Sequence, residues 1–145
     1  MGATTFATFD PEPIVLGTVI DCVAASAILA GHVVAFAADG ADWTVAPATA
    51  SLGAPLGVAL TAQATAGGHV AVAGYGSVVK MMGALDNSAI DAGDMVAPGA
   101  TAGMIIVAPT GSDAFHLGVA IEDIAQGANT GYVLINGPVY LPNGA

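Results

Sequence analysis

Positive charge is almost absent from this sequence. Among 145 residues Lys80 is the only basic side chain, and eleven acidic side chains give a formal net charge of −10 at pH 7. Binding to nucleic acid requires cations that displace counterions from phosphates. Binding to an anionic membrane surface requires a basic cluster for the same reason. We therefore expect neither nucleic acid nor a membrane among the partners of this protein.

Charge of either sign is also scarce. Charged residues make up 8% of the chain, compared with about 25% in typical soluble domains. The surface must therefore consist largely of small neutral residues such as Ala, Gly, Thr and Ser. A free monomer usually relies on mixed surface charge for solubility. We expect that copies of the chain or a partner cover much of this surface, and that the protein is a homo-oligomer.

Cysteine and long apolar runs are equally limited. Cys22 is the only cysteine, so the chain cannot form an internal disulfide. The longest apolar run covers residues 22–38, which at about 17 residues is at the short limit for a membrane-spanning helix. Gly31 and His32 lie in the middle of this run. The run is better explained as a pair of buried strands.

An internal repeat organises most of the sequence. Three apolar blocks occur twice in the same order, and the offsets between the copies are 62 (90 − 28), 61 (117 − 56) and 63 (131 − 68) residues. Each block is bounded by glycine, which is typical of strands that end in turns. The blocks begin at Ile28, Leu56 and Gly68 in the first copy and at Ile90, Leu117 and Gly131 in the second copy.

The repeat predicts an all-β fold with little helix. We expect a small barrel or sandwich built from two similar units of three to four strands, since short strands with glycine-rich turns are typical of such folds. Residues 18–145 should form a single domain whose repeated units cover about 28–82 and 90–140. Strands are predicted at 18–23, 33–37, 43–45, 56–60, 69–82, 95–97, 104–108, 116–121 and 132–140, with turns at 39–40 and 110–113 and one helical turn at 122–125.

Residues 1–17 have no counterpart in the repeat and predict an extended N-terminal arm. Pro11 and Pro13 flank a single residue and favour extended backbone. Phe6 and Phe9 are two of only four phenylalanines in the chain, and an exposed aromatic ring in water is costly without a partner. We therefore predict that Phe6, Phe9, Pro11 and Pro13 contact another subunit or a partner protein.

The residue types that carry catalysis do not form a recognisable set. His32, His69 and His116 occupy different positions of the repeat, without cysteines or carboxylates at metal-ligand spacing. The paired carboxylates fall in predicted turns, where aspartate stabilises the backbone by hydrogen bonding. The serines lack the context of a nucleophile elbow. We expect no enzymatic activity, no metal and no cofactor.

The repeated blocks resemble the head decoration proteins of tailed viruses, also called capsid cement proteins. The shared pattern is Ala-Gly-x-φ-Val, then Leu-Gly-Val-Ala-φ, then Gly-x-Val-x-Val followed by Gly, where φ is apolar, and it covers most of residues 28–140. The residues that carry it are Ala30, Gly31, Val33, Val34, Leu56, Gly57, Val58, Ala59, Val70, Val72 and Gly74, and then Ala92, Gly93, Val96, Leu117, Gly118, Val119, Ala120, Val133 and Gly137.

This resemblance implies a structural virion protein on the outer surface of an icosahedral capsid. Similar proteins are small, β-rich and commonly trimeric, and they bind at three-fold or quasi-three-fold positions, often through an extended N-terminal arm. The implied partners are the major capsid protein and two further copies of the chain. An alternative is a carbohydrate-binding or adhesive β-module, in which Trp43, Tyr75, Tyr132 or Tyr140 would stack against sugar rings.

Overall fold

The described residues form strands joined by turns and loops, and they contain no helix. The computed structural model describes residues 9–37, 42–50, 54–84, 89–109, 114–127 and 129–141, and within these ranges there are ten strands. The predicted all-β fold is confirmed. The strands are β1 (Val19–Ala24), β2 (Val33–Phe36), β3 (Thr44–Pro47), β4 (Pro55–Ala59), β5 (His69–Ala73), β6 (Val78–Met82), β7 (Met95–Pro98), β8 (Ile105–Val107), β9 (Ala114–Ala120) and β10 (Thr130–Leu141).

The first five strands close into a barrel. Their order is β1-β3-β2-β4-β5, and β1 pairs again with β5 to complete the circle. All neighbours are antiparallel except β1 and β3, which run parallel. Closure pairs the edges that an open sheet of the same strands would expose.

The last five strands repeat the same arrangement. Read from β8, the order of the second sheet is β8-β7-β9-β10-β6, so β6 takes the place of β1. A parallel bridge between Gly83 and Ile105 brings the end of β6 to β8, as the parallel pair of β1 and β3 does in the first unit. The bridges Ile28–Gln63 and Ile90–Ile124 are also equivalent. The repeat is therefore structural, and each unit has five strands.

The predicted long strand over residues 69–82 is wrong. The chain turns at residues 74–77, where the Ser77 N–H donates to the Gly74 carbonyl at 3.1 Å and Gly76 has a φ of +87°. β5 pairs with β1 and β4, whereas β6 pairs with β10. β5 thus ends before the two glycines, and the chain continues into β6 of the second unit. Gly76 has a left-handed backbone, which reverses the chain more sharply than a bulge does.

The predicted helical turn at residues 122–125 is also wrong. Ile124 instead forms a β-bridge with Ile90, with N–H···O distances of 2.9 and 2.7 Å in the two directions. Its side chain is 1% exposed, so burial favours the extended form over a solvated helical turn. The predicted turns at 39–40 and 110–113 lie outside the described residues. No helix long and apolar enough to cross a membrane occurs in the ranges given above.

A shared apolar core joins the two units. The largest buried cluster contains Val33, Val58 and Ala73 from the first unit together with Leu117 and Ile135 from the second. A second cluster, which includes Cys22, Val45 and Val72, belongs to the first barrel alone. Burial of these side chains is the main favourable term in folding, and the shared cluster holds the two units against each other.

Gly57 and Gly118 occupy equivalent central positions in β4 and β9. A Cβ atom at Gly57 would collide with the backbone carbonyl of Ala73, and one at Gly118 would collide with the carbonyl of Leu134. Both glycines are buried. The conserved position within the repeat therefore reflects a close approach of neighbouring backbones that any side chain would prevent.

We predict that Gly57→Val and Gly118→Val each lower the free energy of unfolding by about 1–3 kcal/mol, because the added side chain overpacks a closed site. Gly74→Ala is the matched control, since a Cβ atom there would meet its nearest neighbour at 3.6 Å, an ordinary contact distance. Urea unfolding followed by circular dichroism measures all three. Equal stability of both Val variants and the wild type would refute the role of close approach.

Candidate assembly surface

The segment at residues 9–17 lies along β6. The Ile14 N–H donates to the Val78 carbonyl at 2.9 Å, and the Val78 N–H donates to the Val15 carbonyl at 2.9 Å. The Lys80 N–H donates to the Pro11 carbonyl at 2.8 Å. β6 is the outermost strand of its sheet, so this segment covers an edge that would otherwise present unpaired backbone groups.

Glu12 fixes the middle of this segment. Its carboxylate Oε2 lies 3.0 Å from Lys80 Nζ and accepts a hydrogen bond from the Tyr132 hydroxyl at 3.1 Å. The hydrogen bond to Glu12 raises the pKa of Lys80. Glu12 has a φ of +40°, which is unfavourable for a residue with a side chain. The only basic side chain of the chain is thus used within the molecule, to hold a strained residue of its own N-terminal segment.

The four residues predicted to make contacts differ in their positions. Phe6 lies outside the described residues. Phe9 is partly buried against Met82 and Met104, and a Cβ atom at Gly31 would meet its ring at 2.5 Å. Pro11 is buried and Pro13 is exposed. Phe9 therefore packs where the first unit meets the second. Contacts within its own chain already bury part of its ring.

An exposed apolar strip, which the sequence alone does not reveal, follows these residues. We define the apolar strip as Ile14, Val15 and Leu16, whose exposed fractions are 62%, 48% and 52%. Tyr75, which is 66% exposed, follows closely, since the Thr18 N–H donates to its carbonyl at 2.9 Å. Four large apolar side chains in one region of the surface are typical of a site that another protein covers.

The aromatic side chains considered for sugar stacking lie on separate elements. Tyr132 binds Glu12, and Tyr140 packs against Phe115 with ring centroids 5.1 Å apart. Tyr75 lies in the turn between β5 and β6. Trp43 precedes β3 and lines an open groove on the first barrel. The polar side chains of Asp21, Asp42 and His69 line the same groove as Trp43.

The histidines and the cysteine lie on different elements of the fold. His32 is buried, its pKa is lowered by burial, and a Cβ atom at Gly103 would meet its ring at 2.7 Å. His116 is buried in β9, whereas His69 is exposed. Burial, and then the charge of Asp21, raise the pKa of the Cys22 thiol. The part of the chain that the structure describes contains no group of three or more His, Cys, Asp or Glu placed to hold a metal ion.

Known proteins resemble this chain in structure, whereas comparison of sequences finds no match. No protein-family model matches the sequence, and no curated protein matches it. The fold is similar to a crystal structure of the head fiber gp8.5 N base in bacteriophage phi29, with a TM-score of 0.61 and 20% sequence identity. The match covers 82% of this chain and 93% of that chain. The chain therefore shares its fold with a component of a phage head.

We predict that Lys80→Met loosens the N-terminal segment without unfolding the barrels. The pair with Glu12 helps to hold the segment over β6, so its loss should accelerate the exchange of the Val78 and Lys80 amide protons by up to about fivefold. Hydrogen exchange measured by NMR tests this, with amides of β5 as the internal reference and Lys80→Arg as the control that keeps the charge. Unchanged exchange at Val78 and Lys80 would show that the ion pair does not hold the segment.

Proposed function

We propose that this protein is a structural protein of a viral head that decorates and stabilises the outside of an icosahedral capsid. It binds the major capsid protein as a homotrimer at three-fold or quasi-three-fold positions, and it has no enzymatic activity. The observation that carries the proposal is the fold shared with a phage head fiber base over most of both chains. The repeated sequence blocks, which resemble capsid cement proteins, support it independently of the structure.

The apolar strip supports self-association. Burying one large aliphatic side chain is worth about 1.5–3 kcal/mol, so covering Ile14, Val15 and Leu16 on each subunit is a substantial favourable term. A ring of three repeats one contact between different surfaces until it closes. In the proposed trimer, the strip of one subunit packs on the surface of the next.

The N-terminal arm supports attachment to the shell. Phe9 and Pro11 anchor residues 9–17 on their own subunit, and Pro13 is exposed beside the apolar strip. Residues 1–8, which include Phe6, precede this anchored segment in the sequence. We propose that Phe6 and Pro13 contact the capsid protein or a neighbouring subunit. An anchored arm loses less conformational entropy on binding than a free tail does.

We predict that the double change Ile14→Asp, Leu16→Asp dissociates the trimer and leaves the single chain folded. Both side chains are exposed in the single chain, so the charges disturb only the contact between subunits. Light scattering coupled to gel filtration measures the mass, which is 14.0 kDa for one chain. Phe36→Asp, at an exposed position of the first barrel, is the matched control. A wild-type protein that stays monomeric even on viral heads would contradict the proposal.

We predict that deletion of residues 1–8 weakens binding to undecorated, expanded heads while the barrels stay folded. Phe6→Ala should produce part of the same loss, because it removes one buried aromatic contact. Co-sedimentation of each variant with heads gives the bound fraction, and Phe115→Ala, in β9, controls for the loss of any phenylalanine. Equal binding by the deleted and full-length proteins would exclude an arm that contacts the shell. No binding by the full-length protein would exclude the proposed function itself.

A further inference from the structure

An open groove of about 650 Å³ lies on the first barrel. Its base is the outward row of β1, formed by Val19, Asp21 and Val23, which alternate with more deeply buried residues. His69 of β5 pairs with Val23 on one side. On the other side the Val23 N–H donates to the Trp43 carbonyl at 2.8 Å. The groove therefore follows the strand at which the barrel closes.

Trp43 dominates the surface of this groove. It is the only tryptophan in the sequence, it is 60% exposed, and its φ is +64°. Neither the left-handed backbone nor the exposure of so large a ring favours the folded chain by itself. The ring supplies a flat apolar face at the rim of a cavity, next to aliphatic side chains of β1.

The polar groups of the groove are mainly carboxylates. Asp21 and Asp42 line it, and Asp21 Oδ2 lies 3.1 Å from His69 Nδ1, with both side chains 71% exposed. No lysine or arginine lines it. The only lysine or arginine of the chain, Lys80, is bound to Glu12. A lysine or arginine side chain that enters the groove therefore belongs to another molecule.

This combination matches an arginine side chain. A guanidinium group stacks on aromatic faces and pairs with carboxylates in a planar geometry, and its aliphatic stem packs on apolar surface. A lysine would gain the charge but not the planar pairing. A neutral sugar could stack on Trp43 but would gain nothing from the net charge of −10. Charge complementarity therefore favours a basic polypeptide.

We infer that the Trp43 groove binds an arginine-bearing segment of a partner protein, with the guanidinium stacked on Trp43 and paired with Asp21 or Asp42. The inference goes beyond the proposed function, because the chemistry of the groove is the same whether or not the partner is a capsid protein. If the partner is the capsid protein, that protein supplies the basic side chain and this chain supplies the carboxylates. The reverse arrangement is not available, because this chain has a single lysine and no arginine.

The test uses the emission of Trp43, which reports on the groove alone because the chain has no other tryptophan. The full-length protein is titrated with the peptide acetyl-Gly-Arg-Gly-amide and with the same peptide carrying neutral citrulline. We expect saturable change with the arginine peptide and binding at least about tenfold weaker with citrulline. Raising the salt from about 20 to 500 mM should weaken arginine binding several-fold, because the paired charges are exposed.

Matched variants distinguish binding in the groove from nonspecific attraction to the negative charge of the whole protein. Asp21→Asn and Asp42→Asn should each weaken arginine binding at least about threefold, whereas Asp91→Asn, which removes the same charge from an exposed turn of the second unit, should leave it unchanged. Circular dichroism confirms that each variant is folded. Calorimetry with Trp43→Phe, which removes the reporter, should show weaker binding, because phenylalanine is a poorer cation–π partner than tryptophan.

Three results would overturn the inference. They are equal binding of the arginine and citrulline peptides, an equal loss in Asp91→Asn, and a Trp43 response to neutral glycans but not to the arginine peptide. The last result would assign the groove to carbohydrate. Because the titration contains no viral heads, failure here is distinct from failure of co-sedimentation, which tests the proposed function.

Discussion

The packing of the two five-stranded units against each other is the constraint on which the rest of the structure depends. Their facing side chains form one buried cluster. Within each unit, neighbouring strands approach so closely that Gly57 and Gly118 admit no side chain. A chain with 8% charged residues has few ion pairs to specify its fold. Apolar packing and backbone hydrogen bonds must specify the fold instead. Because the unit is duplicated, equivalent strand pairings occur in both halves of the chain.

This constraint also determines what remains on the surface. The second sheet ends at β6, and the N-terminal segment covers that edge, held by Glu12 and the only lysine. Covering the edge places Ile14, Val15 and Leu16 in solvent. The first barrel has no such edge, and its closure at β1 instead produces a groove between Trp43 and His69. The two units thus share a fold but present different surfaces. We propose that one surface binds copies of the chain and the other binds a basic partner.

The repeat made most of the fold predictable from the sequence. Apolar blocks bounded by glycine located β2, β4, β7, β9 and β10 to within a few residues, because alternation and turn residues are local signals. The strands β1 and β6 were not recognised as equivalents, since their role is defined by pairing with β5 and β10. Gly74 and Gly76 allow either a bulge or a turn, and only the distant partner of β6 decides between them.

The candidate surfaces were less predictable for the same reason. The prolines and phenylalanines marked residues 1–17 as distinctive, but the strip at Ile14–Leu16 reads as an ordinary apolar run unless the neighbouring strand is known. Similarly, Trp43, Asp21 and His69 are far apart in sequence and meet only because β3 and β5 both pair with β1. A signal was present in Trp43, the sole tryptophan, placed next to a predicted turn in a chain with few aromatic residues.

The most direct test of the central claim is a cryo-electron microscopy reconstruction of expanded viral heads from the native source, with and without this protein. The account predicts extra density on the outer surface at three-fold or quasi-three-fold positions, with three copies of the two-unit fold at each and the N-terminal arms directed toward the shell. Density that is absent, lies inside the shell, or contains single copies remote from these axes would contradict it.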